Sequence, residues 1–289
     1  MTLRSRLRRL FERDRVNFLI TNRLPRRLLS RLAGRVARIE QPLVRDVSIG
    51  LWRFFCDLDL SEASTTQFRS LRDCFTRQLK PDARPIETDP RVLISPCDAL
   101  LGAFGPIAEC ELYQIKGARY ALDALLCNDA DLVEAHSNGR YATLRLTSSM
   151  YHRFHSPHDC RVEQVSYVAG DAWNVNPPAL KRVDALYCKN ERAVLGTRLA
   201  ATGHRITLVP VGAILVCGIR LNFLDLERCR PAAGRRFIAC DTAFRKGEEI
   251  GWFEHGSTIL VFAPDGFSFC DNVRAGATIR MGQPLMRLP

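Results

Sequence analysis

Residues 246–262 read Lys246-Gly-Glu-Glu-Ile-Gly-Trp-Phe-Glu-His-Gly-Ser-Thr258-Ile-Leu-Val-Phe262. From Thr258 to Phe262 an extended chain would be apolar on both faces, which is the pattern of a strand buried on both sides rather than laid over a core. Gly256 and Ser257 stand at the mouth of that strand. A glycine there tolerates a distorted backbone and leaves its carbonyl uncrowded. The neighbouring serine hydroxyl could then attack that carbonyl, provided a base takes its proton. Taken alone, the same Gly-Ser-Thr is a turn entering a strand, and the local sequence allows both readings.

Working outward, the chain from Arg91 on consists of short apolar runs punctuated by Gly, Pro and Asn, which favours strands and turns. Tyr141 to Thr147 alternates, with Ala142, Leu144 and Leu146 facing one way, and Ile206 to Ile219 reads as another strand buried on both faces. The first 80 residues read mainly as helices. Leu3, Leu7, Leu10 and Phe11 recur at helical spacing among arginines, as in a helix lying in a membrane interface. Further helices are expected over Arg26 to Arg38, over Leu43 to Phe55, and along the face Phe68, Leu71, Phe75 and Leu79, which Pro81 would stop. The expected class is α+β: a sheet-rich catalytic domain over 41–289, preceded by amphipathic and packing helices, with 1–40 a basic membrane-associating segment. No internal repeat is present.

The composition of the 289 residues is that of an ordinary globular chain, 46% hydrophobic and 25% charged, with a formal net charge of +11. Twelve arginines against three acidic residues fall within the first forty positions, so nearly all of the excess charge sits at one end. Such a segment suits an anionic surface, lipid or nucleic acid. The apolar stripe beside it favours lipid, because phosphate binding alone does not need one. The eleven cysteines are odd in number and contain no C-x-x-C pair, which argues against a disulfide framework or a zinc ribbon and for a reducing compartment. Neither a secretory signal nor a membrane-spanning run is expected.

Three further groups could carry chemistry. Tyr151-His-Arg-Phe-His-Ser-Pro157 puts His152 and His155 three residues apart, and His158 completes an H-x-x-H-x-x-H array. The histidines offer a base, while a metal site is the competing reading. Val92-Leu-Ile-Ser-Pro-Cys-Asp98 is an apolar strand ending on a carboxylate. Asp98 could orient a histidine or simply cap a turn.

The order of these motifs resembles that of the phosphatidylserine decarboxylase family. The resemblance rests on S-P-C-D (95–98), Y-H-R-F-H-S-P (151–157), G-D-x-W-x-V-N-P (170–177), N-E-R (190–192), K-G-E-E-I-G-x-F-x-H-G-S-T (246–258) and G-Q-P-L (282–285), with L-S-R-L-A-G-R (29–35) and R-P-I-E-T-D-P (84–90) upstream. It extends from about Asn22 to Met286. The resemblance implies a mixed α and β fold, a peripheral membrane location, and a covalent pyruvoyl group made from the chain itself. On matching positions, Asp98, His155 and Ser257 would form the self-cleavage triad, and His152 would serve decarboxylation. Two positions depart from the family pattern: His255 precedes the cleavage glycine, and Ala99 follows Asp98 where glycine is usual.

The reaction so implied begins when His155, oriented by Asp98, takes the Ser257 proton. The hydroxyl attacks the Gly256 carbonyl, an N-to-O acyl shift leaves an ester, and loss of the Ser257 α-proton expels the Gly256 carboxylate. The dehydroalanine left behind tautomerises and hydrolyses to pyruvoyl, releasing ammonia. The pyruvoyl group would act as the electron sink when phosphatidylserine loses carbon dioxide and becomes phosphatidylethanolamine. The expected partners are the lipid substrate, an anionic membrane surface and the two cleavage products for each other, with a homodimer as a further option and no nucleic acid. The expected location is peripheral, on the cytoplasmic face of a bacterial inner membrane, with the mitochondrial inner membrane as the other option. Two alternatives differ in kind. One is a metal-dependent hydrolase using His152, His155 and His158. The other is a non-enzymatic biotinyl or lipoyl-like module, suggested by Val273 to Leu285, although the modified lysine it would need is missing.

Overall fold

The computed structural model of the chain describes residues 26–113, 119–213, 218–231, 234–254 and 257–289. The apolar stripe Leu3, Leu7, Leu10 and Phe11, and Gly256 at the proposed cleavage bond, lie outside the described residues. The described chain opens with helices α1 (Arg26–Ala37), α2 (Pro42–Phe55) and α3 (Leu71–Phe75). Strands β1 (Val92–Ile94), β2 (Ala99–Pro106), β3 (Glu111–Tyr113) and β4 (Arg119–Ala121) follow, then helices α4 (Leu122–Leu125) and α5 (Ala130–His136). Next come β5 (Arg140–Leu146), β6 (Arg153–His155), β7 (Cys160–Val168), α6 (Pro177–Leu180), α7 (Leu186–Lys189), β8 (Arg192–Leu199) and β9 (Arg205–Gly212). The chain continues through β10 (Ile219–Leu221), β11 (Arg235–Phe244), β12 (Glu249–Phe253) and β13 (Ser257–Ala263). It closes with β14 (Ser268–Phe269), β15 (Thr278–Ile279) and β16 (Pro284–Arg287). The protein is sheet-rich with helices at its N-terminal end, as the α+β expectation required.

The main sheet has eight strands in the order β11-β7-β8-β9-β13-β5-β2-β15. Strand β13 lies between β9 and β5, antiparallel to both, and every one of its seven residues is buried. Because side chains alternate along a strand, its two faces feed two cores. Ile259, Val261 and Ala263 join Ala142, Leu144 and Leu146 in one cluster, which the small sheets β1-β16-β14 and β10-β12-β6 cover. Leu260 and Phe262 join Tyr120, Leu122, Leu125, Leu186 and Tyr187 in the other, under α4 and α7. The alternation read from β5 is thus correct, but both of its faces are largely covered: Tyr141 belongs to the second core.

Two expectations are corrected. The helix foreseen along Phe68, Leu71, Phe75 and Leu79 shrinks to α3. The Ser70 hydroxyl accepts from the Asp73 N–H at 3.2 Å and starts the helix after Phe68, while Leu79 is drawn into a bridge with Ala63. Phe68 packs with Ala63 and Cys74 in a small third cluster, so the apolar spacing came from a turn folded on itself rather than one continuous helix face. The run Ile206 to Ile219 is not one strand either: β9 ends at Gly212 and β10 begins at Ile219, beside different partners. All ten cysteines among the described residues are free. Among the described residues no helix is long and apolar enough to cross a membrane.

Burial on both faces of β13 makes a specific demand on stability. In a strand with one wet face, one of two adjacent truncations is cheap. Here Ile259→Ala and Leu260→Ala should each destabilise the protein by about 2–5 kcal/mol, measured by urea denaturation. A cost under ~1 kcal/mol at either position would contradict the two-core arrangement.

Candidate active site

Ser257 is the first residue of the central strand, paired across to Leu146 on one side and Gly212 on the other. Its side chain is fully buried, and its Oγ has no hydrogen-bond partner among the described residues. A buried hydroxyl normally finds one, since leaving it unpaired costs about 1–3 kcal/mol. Ser257 also lines a cavity of about 560 Å³, together with Trp52 of α2, Cys56 just after it, Phe75 of α3, Arg145 of β5 and Asn176. A reactive hydroxyl at the wall of a cavity, on a rigid strand, is the arrangement that an internal nucleophile needs. The same residue fits a serine-derived carbonyl group, which would point into that cavity.

His152 is buried, and its ring stacks on Phe75 with centroids 4.0 Å apart, placing it behind the cavity wall. Its Nδ1 lies 2.9 Å from the Met150 carbonyl. A carbonyl can only accept, so in the neutral ring Nδ1 carries the proton and Nε2 is the basic atom. His155, on β6, is fixed in the same way. Its Nδ1 donates to the Gly247 carbonyl at 2.9 Å, and its Nε2 accepts from the Tyr151 hydroxyl at 3.0 Å. Gly247 supplies that carbonyl from a turn at φ +81°, a conformation that favours glycine. Burial, opposed by the Gly247 bond, holds the His155 pKa below the usual histidine value. The ring is therefore neutral at neutral pH and able to accept a proton.

The structure brings Asp98 near His155 without joining the two by a hydrogen bond. The His155 N–H donates to the Pro96 carbonyl at 2.8 Å, so the loop carrying Asp98 and the strand carrying His155 are tied through the backbone. The Asp98 carboxylate is held elsewhere. Arg84 Nε donates to Oδ1 at 2.9 Å, Arg84 Nη2 to Oδ2 at 2.5 Å, and the Met281 N–H to Oδ1 at 2.9 Å. The direct Asp98–His155 bond expected from sequence is thus replaced by a fork from Arg84, whose geometry suits a carboxylate better than imidazole does.

His158 donates through Nε2 to the Pro90 carbonyl at 2.8 Å, so all three rings have committed a nitrogen to a backbone carbonyl. Among the described residues no group of three His, Cys, Asp or Glu side chains gathers as a ligand set.

Sequence reading did not single out Glu254, two positions before Gly256. Its carboxylate is 1% exposed and meets Arg38 and Arg220, each at 3.1 Å, as well as Arg72. Burial raises its pKa, but Arg220 and Arg72 outweigh that and lower it. The three arginines come from α1's end, α3 and β10, so no local pattern could reveal the cluster. Nor could sequence show that Arg84 is the partner of Asp98.

The family model for phosphatidylserine decarboxylase matches residues 71–287. A phosphatidylserine decarboxylase proenzyme of Shewanella sp. (strain W3-18-1) is 32% identical over 289 residues, covering 95% of this chain and 98% of the relative. That of Aliivibrio salmonicida (strain LFI1238) is 32% identical over 280 residues, covering 91% and 95%. That of Shewanella baltica (strain OS155) is 31% identical over 290 residues, covering 95% and 97%. The likeness spans the N-terminal helices, the segment bearing His152 and His155 and the strand headed by Ser257, and on that extent the chain belongs to the phosphatidylserine decarboxylase family.

Proposed function

We propose that this chain is a proenzyme that cuts itself between Gly256 and Ser257, converts Ser257 to a pyruvoyl group and then decarboxylates phosphatidylserine to phosphatidylethanolamine. The observation that carries the reading is the buried Ser257 Oγ at the head of the central strand, without a hydrogen-bond partner among the described residues. The pyruvoyl group supplies an electron sink for the bond to the departing carbon dioxide. The chain's own residues supply the rest. His155, neutral and with Nε2 as its basic atom, takes the Ser257 proton once Tyr151 yields that nitrogen. Asp98 acts through position: with Arg84 and Met281 it anchors the loop whose Pro96 carbonyl holds His155. His152, behind Phe75, delivers the proton that replaces the lost carboxyl group, and the cavity walls keep bulk water from doing so indiscriminately.

Cleavage would give chains of 256 and 33 residues. The shorter chain would contribute β13 to the centre of the main sheet, β15 beside β2, and β14 and β16 to the sheet that holds β1. These pairings, with the apolar burial along β13, keep the two products together.

We assign membrane attachment to residues 1–40 together with the outer face of α2. In α2, Leu43, Val47, Leu51 and Phe54 are 68%, 52%, 55% and 42% exposed at helical spacing, and no residue of the helix is buried. Leu32 and Val36 of α1 are also exposed. Trp52 and Cys56, on and just after the same helix, line the Ser257 cavity. A bilayer against this face would bring lipid headgroups to the cavity that must receive them. The attachment is peripheral, to an anionic leaflet.

Intact-mass analysis should find two chains divided at residue 256, and Ser257→Ala should give one uncut, inactive chain. Cleavage persisting in that variant would sink the mechanism. Processing needs unprotonated His155, whose pKa is lowered. Its rate should therefore hold as pH falls through about 6.5, the ordinary histidine value, and decline only below it.

His152→Ala should still cleave yet decarboxylate poorly, on the order of 10²-fold slower. His155→Ala and Asp98→Asn should both cleave poorly. If Asp98 works through its anchor, Arg84→Gln should reproduce the Asp98→Asn defect; normal cleavage in Arg84→Gln would return Asp98 to a direct role on His155.

In liposome sedimentation, replacing Leu43, Val47, Leu51 and Phe54 by Ser should leave binding that high salt abolishes, whereas wild type should keep part of its binding. Equal salt sensitivity of the two would remove α2 from the membrane surface.

A further inference from the structure

Arg145 is the only charged residue among the described residues that line the Ser257 cavity. It is half-buried on β5, paired across to Thr258, while the next residue, Leu146, pairs with Ser257. Its side chain lies on the face opposite Ala142, Leu144 and Leu146, towards Tyr187 of α7. Burial lowers its pKa, and no carboxylate among the described residues pairs with it. Among the described residues three more buried arginines have internal partners: Arg84 has Asp98 and Glu62, Arg77 the Ser149 and Met150 carbonyls, and Arg192 the Ala124 and Cys188 carbonyls. A guanidinium partly withdrawn from water without such partners carries a desolvation cost that an anionic ligand would offset. The hydroxyls of Thr147 and Ser148, also on the cavity wall, add donors of the kind that phosphate oxygens accept.

We propose that Arg145 binds the phosphodiester of the lipid headgroup and so sets how the serine moiety reaches residue 257, an inference that rests on the decarboxylase reading above. Phosphatidylserine offers two anions, and the reaction distinguishes them. The carboxylate loses its charge as carbon dioxide forms, so an arginine holding it would stabilise the ground state more than the transition state and slow the reaction. The phosphodiester keeps its charge throughout, and holding it is uniform binding, which lowers KM at little cost to the chemical step. A guanidinium fork matches phosphate oxygens in pairs, and a lysine would match them only as a point charge.

The test uses the processed two-chain enzyme, with cleavage verified by intact mass, and compares wild type, Arg145→Met and Arg145→Lys on soluble short-chain phosphatidylserine. Short-chain phosphatidylethanolamine, which keeps the phosphate and lacks the carboxylate, serves as a competitive inhibitor, and inorganic phosphate serves as a second one. Arg145→Met should raise KM for the substrate and Ki for phosphatidylethanolamine by the same factor, on the order of tenfold or more, with kcat falling far less. Arg145→Lys should fall between, and it carries the test alone if the methionine variant fails to fold or cleave. A raised KM with unchanged Ki would mean that the arginine reads the carboxylate, and no change in either would remove it from the substrate site. Inorganic phosphate inhibiting wild type as strongly as phosphatidylethanolamine would make this a site for free phosphate and overturn the headgroup assignment. A processed wild type that does not decarboxylate at all would instead overturn the parent reading.

Discussion

The constraint on which the rest depends is that the strand headed by Ser257 is also the strand that joins the two cores. Residues 257–263 have no exposed side chain, and their alternation sends Ile259, Val261 and Ala263 into one cluster and Leu260 and Phe262 into the other. Such a strand cannot shift by one residue without exchanging its whole side-chain set between layers. Ser257 is therefore held in register by packing that has nothing to do with its chemistry. A self-cleaving bond needs this rigidity on one side of the cut. On the proposed reading it also needs the product chain to stay bound, and a strand hydrogen-bonded to two neighbours would serve both needs.

Around that strand the protein has buried several charges and tied each to a distant element. Glu254, just ahead of the proposed cleavage site, gathers arginines from the N-terminal helices and from β10. Asp98 is bound by Arg84 and by the backbone of Met281, and Arg84 also reaches Glu62. Breaking a buried pair of this kind leaves one charge uncompensated and is strongly destabilising. The clusters consequently act as fixed points, joining the N-terminal helices and the C-terminal segment to the chain segments that flank His155 and Ser257. The histidines follow the same logic on a smaller scale. Each donates one ring N–H to a carbonyl, which decides the tautomer and leaves a defined basic atom. Arg145 departs from the pattern, and that departure is what points to a ligand.

Much of this was legible beforehand. The two-sided apolar run after Ser257, the alternation in Tyr141 to Thr147 and the helices over Arg26 to Arg38 and Leu43 to Phe55 depend on local periodicity, and each came out within a few residues of expectation. The helix expected through Leu79 failed because apolar spacing does not distinguish a long helix from a short capped one followed by a turn. The long apolar run to Ile219 failed because periodicity cannot show that a chain leaves one sheet for another. Ser257, His152, His155 and Asp98 stood out through motifs. The bond drawn between Asp98 and His155 did not form, because a better partner, Arg84, was available fourteen residues upstream.

By itself the sequence determined the α+β class, the central strand, the residue types available for proton transfer and, through motif order, the family. These depend on local period and on short spacings, which a linear chain records. Only the tertiary structure decided which nitrogen of each histidine is basic, that Asp98 sits in an arginine clamp, that Glu254 gathers three arginines, and that Arg145 lines the same cavity as Ser257 with no carboxylate paired to it among the described residues. The physical reason is common to all four. Each depends on partners far apart along the chain, and on what burial leaves unpaired once those partners have met.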